Sequence, residues 1–110
     1  MTGVQTCALP ILTITALLRA KPGKEAELRD LLLEVAADVA TSEPGTIGYV
    51  VSQSTDDPRL LITHERFVDR AAMERHNGSA AVASAIARLP ELLAEPAAIH
   101  AANELSGLAR

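Results

Sequence analysis

The stretch from residue 24 to residue 41 has an apolar repeat that only one kind of element satisfies. Its apolar side chains recur at intervals of three and four positions, and they are Leu28, Leu31, Leu32, Val35, Ala36 and Val39. This spacing places them along one stripe of an α-helix, and the acidic residues between them fall on the opposite face. Pro44 prevents the helix from continuing. The pattern therefore predicts a helix over about 24–41 with one buried face.

Segments with strand character lie on both sides of this helix. The predicted strands cover residues 12–19, 46–54, 59–67 and 98–104. The second and third are joined by TDDP, whose residue types favour a tight turn, so they form a hairpin. Asp69 and Ser79 can each cap a further short helix between the hairpin and the last strand.

The resulting order is strand, helix, strand, strand, helix, strand. It predicts an α+β, ferredoxin-like βαββαβ protomer, with helices on one face of a four-stranded antiparallel sheet. In the third strand Leu60 and Ile62 alternate with Leu61 and Thr63, so both faces carry apolar side chains. A sheet face that is apolar and not covered by helices needs a partner. We predict a homodimer pairing these faces around a two-fold axis, the alternative being a monomer that tolerates the apolar surface.

The first eleven residues, MTGVQTCALPI, differ from the rest of the chain and contain its only cysteine. One choice of codons for them, with GTG as the start, resembles a common short-read sequencing adapter. We interpret residues 1–11 as an assembly scar from metagenomic DNA and residues 12–110 as the native single domain. The alternative is a native N-terminal arm.

Composition restricts the remaining hundred or so residues to one small domain with an aliphatic core. Hydrophobic residues make up 48% of the chain but aromatic residues only 2%. The net charge of −4 and the scattered basic residues do not suit nucleic-acid binding. The longest apolar run is too short to span a bilayer, and no basic residue precedes it as in a signal peptide. We expect a cytoplasmic protein that binds neither nucleic acid nor membrane.

Five segments are familiar as a set, in this order and with this spacing. They are KPGKEAEL at 21–28, EPGTIGY at 43–49, DDP at 56–58, HERFVDRAAMERH at 64–76 and LPELLAEPAAI at 89–99. Together they resemble the antibiotic biosynthesis monooxygenase family, and the resemblance extends from Leu12 to about Glu104. It implies a ferredoxin-like protomer that dimerises through its sheet into an α/β barrel. This agrees with the homodimer predicted from the apolar sheet face that no helix covers.

The resemblance also implies an activity. The best known members of the family oxidise electron-rich hydroquinones or anthrones with O₂, without metal or flavin. We therefore expect a cofactor-independent monooxygenase acting on a small phenolic substrate. Such chemistry needs a dry pocket, a base for a phenolic proton and donors that hold the resulting anion. The sequence has no HxH, HxxxH or CxxC spacing, so we predict no metal site.

The resemblance places the pocket beside the third predicted strand and the helix after it. Thr63, Glu65 and Phe67 share one face of that strand, and His76 lies on the helix expected to cover this face. We predict His76 as the base, with Glu65 as its orienting partner or a second proton acceptor, and Phe67 as a wall for an aromatic substrate. Thr63 and Tyr49 complete the predicted substrate site.

Each of these residues also has a structural interpretation. Glu65 can be a carboxylate that is paired only for stability, and His76 an exposed side chain at a helix end. Phe67 and Tyr49 can be core residues. His64 points away from Glu65 by strand alternation, and we expect it at the dimer interface.

Two other functions suit the same fold. One is a non-catalytic dimeric module that binds a small molecule or a partner. The other is an isomerase of a small metabolite, which would want a basic phosphate pocket that the sequence does not show. The enzyme hypothesis requires His76 and Glu65 to converge on one cavity.

Overall fold

The computed structural model describes residues 10–107, so the proposed scar at residues 1–11 lies almost wholly outside the described part and stays a prediction. Within that part, four strands and three helices follow one another along the chain. They are β1 (Leu12–Arg19), α1 (Glu25–Ser42), β2 (Thr46–Gln53), β3 (Leu60–Phe67), α2 (Arg70–Asn77), α3 (Ala80–Leu92) and β4 (Ala98–Asn103). The element order and approximate bounds agree with the sequence prediction.

The four strands form one antiparallel sheet in the order β2-β3-β1-β4. The strands that are adjacent in space are therefore not all adjacent in sequence, which is the split arrangement of a ferredoxin-like fold. The register of β2 on β3 shifts between Thr46 and Gly48. The predicted α+β class and strand arrangement are confirmed.

The main core lies between the sheet and the helices α1 and α3. The predicted apolar stripe of α1 supplies five buried side chains, and only Ala36 is half-buried. They pack against alternate residues of β1, including Ala16 and Leu18, and against Leu61 of β3. Burying a side chain of this size contributes roughly 1.5–3 kcal/mol to stability, so the stripe holds α1 on the sheet.

A second, smaller core cluster lies where α2 meets the sheet. It consists of Leu12, Ile14, Phe67, Ala72 and Met73. Because two of these residues belong to α2 and three to the sheet, the cluster fixes the position of the helix that carries His76.

The other side of the sheet, here called the open face, is not covered by helices. Strand alternation places Thr15 and Leu17 of β1, Val50 of β2 and His64 of β3 on this face. His64 lies on the face opposite to Glu65, as strand alternation predicted, and its Nδ1 lies 3.1 Å from Thr15 Oγ1. Leu17 is 37% exposed and Val50 54%, so part of the open face is apolar.

None of the helices between residues 10 and 107 combines the length and apolar character needed to cross a membrane.

Candidate active site

Helix α2 begins at a side-chain cap and ends just after His76. The Asp69 carboxylate accepts a hydrogen bond of 2.8 Å from the backbone N–H of Ala72, as predicted for an N-cap. Residues Ala72, Met73 and His76 form the buried side of this helix. His76 is 3% exposed, which excludes the interpretation of an exposed histidine at a helix end.

The imidazole ring of His76 lies between two carboxylates. Its Nε2 is 3.0 Å from Glu65 Oε1, and its Nδ1 is 2.8 Å from Glu43 Oε1. Glu65 comes from the middle of β3, whereas Glu43 follows the last residue of α1. The structure therefore pairs His76 with Glu65, as the sequence prediction required, and adds a second acid that the prediction did not contain.

Two threonine hydroxyls support these carboxylates. Thr63 Oγ1 donates a hydrogen bond of 2.8 Å to Glu65 Oε2, and Thr46 Oγ1 donates one of 2.8 Å to Glu43 Oε1. Glu43 Oε2 is buried and has no hydrogen-bond partner among the described residues. The two carboxylates thus differ, because both oxygens of Glu65 are hydrogen-bonded but only one oxygen of Glu43 is.

The hydrogen-bonding pattern fits a protonated ring. An ionised carboxylate only accepts hydrogen bonds, so an imidazole that contacts one carboxylate at each nitrogen must donate from both. Burial lowers the pKa of His76, but the hydrogen bonds that its ring donates to Glu65 and Glu43, together with the negative charges of these carboxylates, outweigh burial and raise the pKa above its ordinary value. The two carboxylates therefore favour the protonated form of His76.

Glu43 reaches His76 because the loop after α1 passes very close to α2. A Cβ atom added at Gly45 would lie 2.7 Å from the Cβ of Ala72, which is closer than such atoms approach. The carbonyl of Gly45 accepts a hydrogen bond of 3.0 Å from the Val68 backbone N–H. A side chain at position 45 would thus push the loop, and Glu43 with it, away from His76.

The Glu65 and His76 side chains open on a cavity of about 290 Å³. Its walls are mostly aliphatic side chains from β1, α1 and α3, and its polar lining comprises Tyr49, Thr63, Glu65, His76 and Asn77. Ile86 and Ile99 line it while remaining 57% and 64% exposed, so they form the rim of its mouth. A mostly apolar cavity with a few convergent polar groups is typical of a small-molecule site.

The predicted substrate-site residues occupy different positions relative to this cavity. Thr63 and Tyr49 line it, and the Tyr49 ring centre lies 5.8 Å from that of His76. Burial, followed by the charges of Glu65 and Glu43, raises the pKa of Tyr49, so its hydroxyl stays protonated.

Phe67 is fully buried in the second core cluster and is not part of the cavity wall. The centre of its ring lies 5.3 Å from the centre of the His76 ring. Phe67 therefore packs against the ring of His76 and does not contact the cavity.

A second pocket, of about 180 Å³, is lined by Glu43 and not by Glu65. Asp38, Thr46, Arg75 and Ser79 also line it. The ring of His76 therefore connects a carboxylate that lines the first cavity with a carboxylate that lines the second pocket. Over residues 10–107, no group of three or more His, Cys, Asp and Glu side chains is arranged to hold a metal ion.

Fold and site together define a ferredoxin-like α+β domain with a mostly apolar cavity beside a buried Glu-His-Glu triad. The sequence model of the family described as antibiotic biosynthesis monooxygenase matches residues 11–88, which is more than half of the chain. The chain belongs to this family.

Solved structures of bacterial proteins have the same fold. Rv0793 from Mycobacterium tuberculosis is 26% identical, with a TM-score of 0.83, over 90% of this chain and 99% of that one. SO0527 from Shewanella oneidensis is 28% identical, with a TM-score of 0.81, over 86% and 91% of the two chains. PA3566 from Pseudomonas aeruginosa is also 28% identical, with a TM-score of 0.79, over 89% and 97%. No curated protein matches the chain in sequence.

Proposed function

We propose that this protein is a cofactor-independent monooxygenase that oxidises a small hydroquinone, phenol or anthrone with O₂. Membership of the antibiotic biosynthesis monooxygenase family supports the reaction type. One observation carries the proposal: the Glu65 carboxylate, fixed by His76 and Thr63, lies on the wall of an otherwise mostly aliphatic cavity. The cavity volume of about 290 Å³ lies at the lower end of the usual range for small-molecule pockets, about 300–1,000 Å³, which favours a small aromatic substrate.

In this proposal Glu65 takes the phenolic proton. In its protonated form His76 donates from both nitrogens to carboxylates, so the ring has no free lone pair to offer the substrate. A carboxylate has about four acceptor positions, and Glu65 uses only two of them on His76 and Thr63. His76 then positions and stabilises the base, which reverses the roles assigned to these two residues from the sequence.

The phenolate formed in this way is the electron donor for O₂. For an anthrone, one oxygen atom becomes a carbonyl oxygen at the ring CH₂ carbon, and the other leaves as water with the two hydrogens of that carbon. The substrate supplies all four electrons that O₂ accepts. The Tyr49 hydroxyl, which stays protonated on the cavity wall, can donate a hydrogen bond to the substrate anion.

Two copies of the chain pair through the open face in this proposal. The apolar residues Leu17 and Val50 are exposed there, and the helices cover only the other face. A second copy placed around a two-fold axis would bury the same residues on both chains.

Oxygen uptake tests the proposed activity. The full chain is mixed with a panel of hydroquinones and anthrones, beside a Glu65→Gln variant and a Glu34→Gln variant. Glu34 is a matched control because it lies on α1 with its side chain 70% exposed. We expect uptake above the spontaneous rate, reduced by about a hundredfold in Glu65→Gln and unchanged in Glu34→Gln. No uptake from any substrate would leave a non-catalytic binding module as the better assignment.

A further inference from the structure

We propose that the substrate carries a long apolar substituent, and that this substituent lies in a groove that continues from the cavity along α3. This inference rests on the proposed function, because it adds a substituent to the phenolic substrate of the same cavity. The groove has a volume of about 510 Å³ and is here called the apolar groove. It is lined by Ile86, Leu89, Pro90, Leu93, Ala94, Glu95, Pro96 and Ala97.

The cavity and the apolar groove meet at Ile86 and Leu89, because these two residues line both spaces. The residues of α3 that line the cavity are Val82, Ala85, Ile86 and Leu89. The groove continues this series with Pro90 and with Leu93, which directly follows the helix. Spacings of three and four residues place the whole series on one face of the helix. A ligand that leaves the cavity at Ile86 therefore continues along the same helix face.

The apolar groove lies at the end of the cavity farther from Glu65. Glu65 pairs with Ile14 of β1, and the cavity follows β1 as far as Leu18. Just beyond β1, Ala20 forms a β-bridge with Leu93 of the groove. The six-residue separation of Ile14 and Ala20 corresponds to about 20 Å of extended strand. A phenol held at Glu65 would therefore direct a substituent that follows the cavity towards the groove.

The walls of the groove suit an alkyl chain better than a peptide. Among the described residues that line it, Glu95 alone has a polar side chain, and its Oε1 lies 3.7 Å from Arg19 Nε. A peptide would bring backbone N–H and C=O groups that need hydrogen-bond partners, whereas an alkyl chain brings none. Ile86 is 57% exposed, so an alkyl chain would also remove apolar protein surface from water.

The proposed dimer would leave the apolar groove accessible. Helix α3 packs on the sheet face opposite to the open face, with Ala85 and Leu92 in the main core. Pairing of two open faces therefore covers the other side of the sheet. The groove and the dimer can exist in the same assembly.

The methyl signals of Val82 and Leu93 in nuclear magnetic resonance spectra test the proposal in the unaltered chain. Val82 lines the cavity but not the groove, and Leu93 lines the groove but not the cavity. The probes are methylhydroquinone and decylhydroquinone, added under argon so that neither is oxidised. We expect both compounds to shift the signals of Val82, and only decylhydroquinone to shift those of Leu93. Leu93 signals that decylhydroquinone leaves unshifted, or shifts without those of Val82, would overturn the proposal.

Calorimetric titration under argon measures what the substituent contributes to affinity. Each methylene group that moves from water to an apolar surface tightens binding by about threefold. Because part of the groove stays open to water, we expect decylhydroquinone to bind about a hundredfold more tightly than methylhydroquinone. Equal dissociation constants for the two compounds would contradict the proposal.

An Ala94→Glu variant places a carboxylate in the groove. Ala94 is exposed and lines the groove but not the cavity. We expect its affinity for decylhydroquinone to fall by about tenfold or more, because the alkyl chain would desolvate the new charge. Ala83→Glu is the matched control, since Ala83 is an exposed residue of α3 that lines neither space. An equal loss in both variants would refute the assignment of the groove.

Ligand binding and oxygen uptake fail independently. Oxygen uptake without any preference for decylhydroquinone in binding would refute the role of the groove and leave the monooxygenase standing. A binding preference for decylhydroquinone without oxygen uptake would refute the monooxygenase and leave the groove as part of a binding module. If Ala94→Glu does not fold, the signals of Val82 and Leu93 in the unaltered chain still decide.

Discussion

The Nδ1 atom of His76 lies 2.8 Å from a carboxylate oxygen of Glu43, a residue 33 positions earlier in the chain. This contact joins the loop after α1 to the last turn of α2. Since Nε2 is bonded to Glu65 on β3, one imidazole ring links three separate parts of the fold. The stability of the domain and the state of its candidate active site therefore depend on the same side chain.

Removing His76 should destabilise the domain strongly. In His76→Ala, Glu43 and Glu65 face each other as buried, unpaired carboxylates, and breaking a buried ion pair in this way costs about 3–5 kcal/mol. Urea denaturation measures the loss, and His100→Ala, at an exposed position, should change stability by less than about 0.5 kcal/mol. Adding Glu65→Gln to His76→Ala should recover part of the loss, and a further loss on that addition would contradict the ion-pair account.

Stability should fall as the pH rises above 6.5. The pKa of His76 is raised in the folded chain above its ordinary value of 6.5, so between these two values the folded state binds more protons than the unfolded state. The stabilising contribution is complete below pH 6.5 and is lost as the pH rises through the folded-state pKa. Denaturation curves over this range, compared with those of His76→Gln, measure it, and equal pH slopes for both proteins would rule it out.

Gly45→Ala should destabilise the fold and disturb the triad. The added methyl group would meet the Cβ of Ala72 at 2.7 Å, and such overpacking typically costs about 1–3 kcal/mol. Gly107→Ala is the matched control, because nothing lies within 4 Å of a Cβ at that position. Thermal unfolding gives the stability, and the chemical shift of the His76 Nδ1 proton reports whether Glu43 has moved. Equal effects of the two substitutions would show that the loop tolerates a side chain.

A charge placed on the open face should dissociate the proposed dimer. Val50→Lys introduces an ammonium at a position that is 54% exposed in the single chain and that pairing of the two faces would bury. Leu33→Lys, on the outer side of α1 at 48% exposure, controls for the added charge. Light scattering after size exclusion should give a dimer for the unaltered chain and for Leu33→Lys, and a monomer for Val50→Lys. A dimer in all three would place the interface elsewhere.

Much of this fold follows from local patterns. The repeat of α1, the β-branched segment of β1 and the hairpin turn between β2 and β3 each depend on neighbouring residues, so the sequence was sufficient to predict them. The pairing of Glu65 with His76 also followed, because strand alternation sets the face of Glu65 and the next helix packs on that face.

Glu43 could not be found in the same way. It belongs to no periodic pattern, and its approach to His76 depends on the contact between Gly45 and Ala72, which is a tertiary contact with no local signal. Phe67 shows the opposite case, since alternation predicted its face correctly but could not tell a cavity wall from the packed core beneath it.

Some residues that line the cavity are buried and others are exposed, and this difference has an evolutionary consequence. Strand β4 lies at the edge of the sheet and none of its residues is buried, yet its Ile99 lines the cavity mouth. Substitutions at such exposed positions usually change stability by less than about 0.5 kcal/mol, whereas large-to-small substitutions of buried leucines cost about 2–5 kcal/mol. Domains with a common ancestor could therefore come to admit different ligands through substitutions in β4, while selection for folding preserves the buried pair of Glu65 and His76.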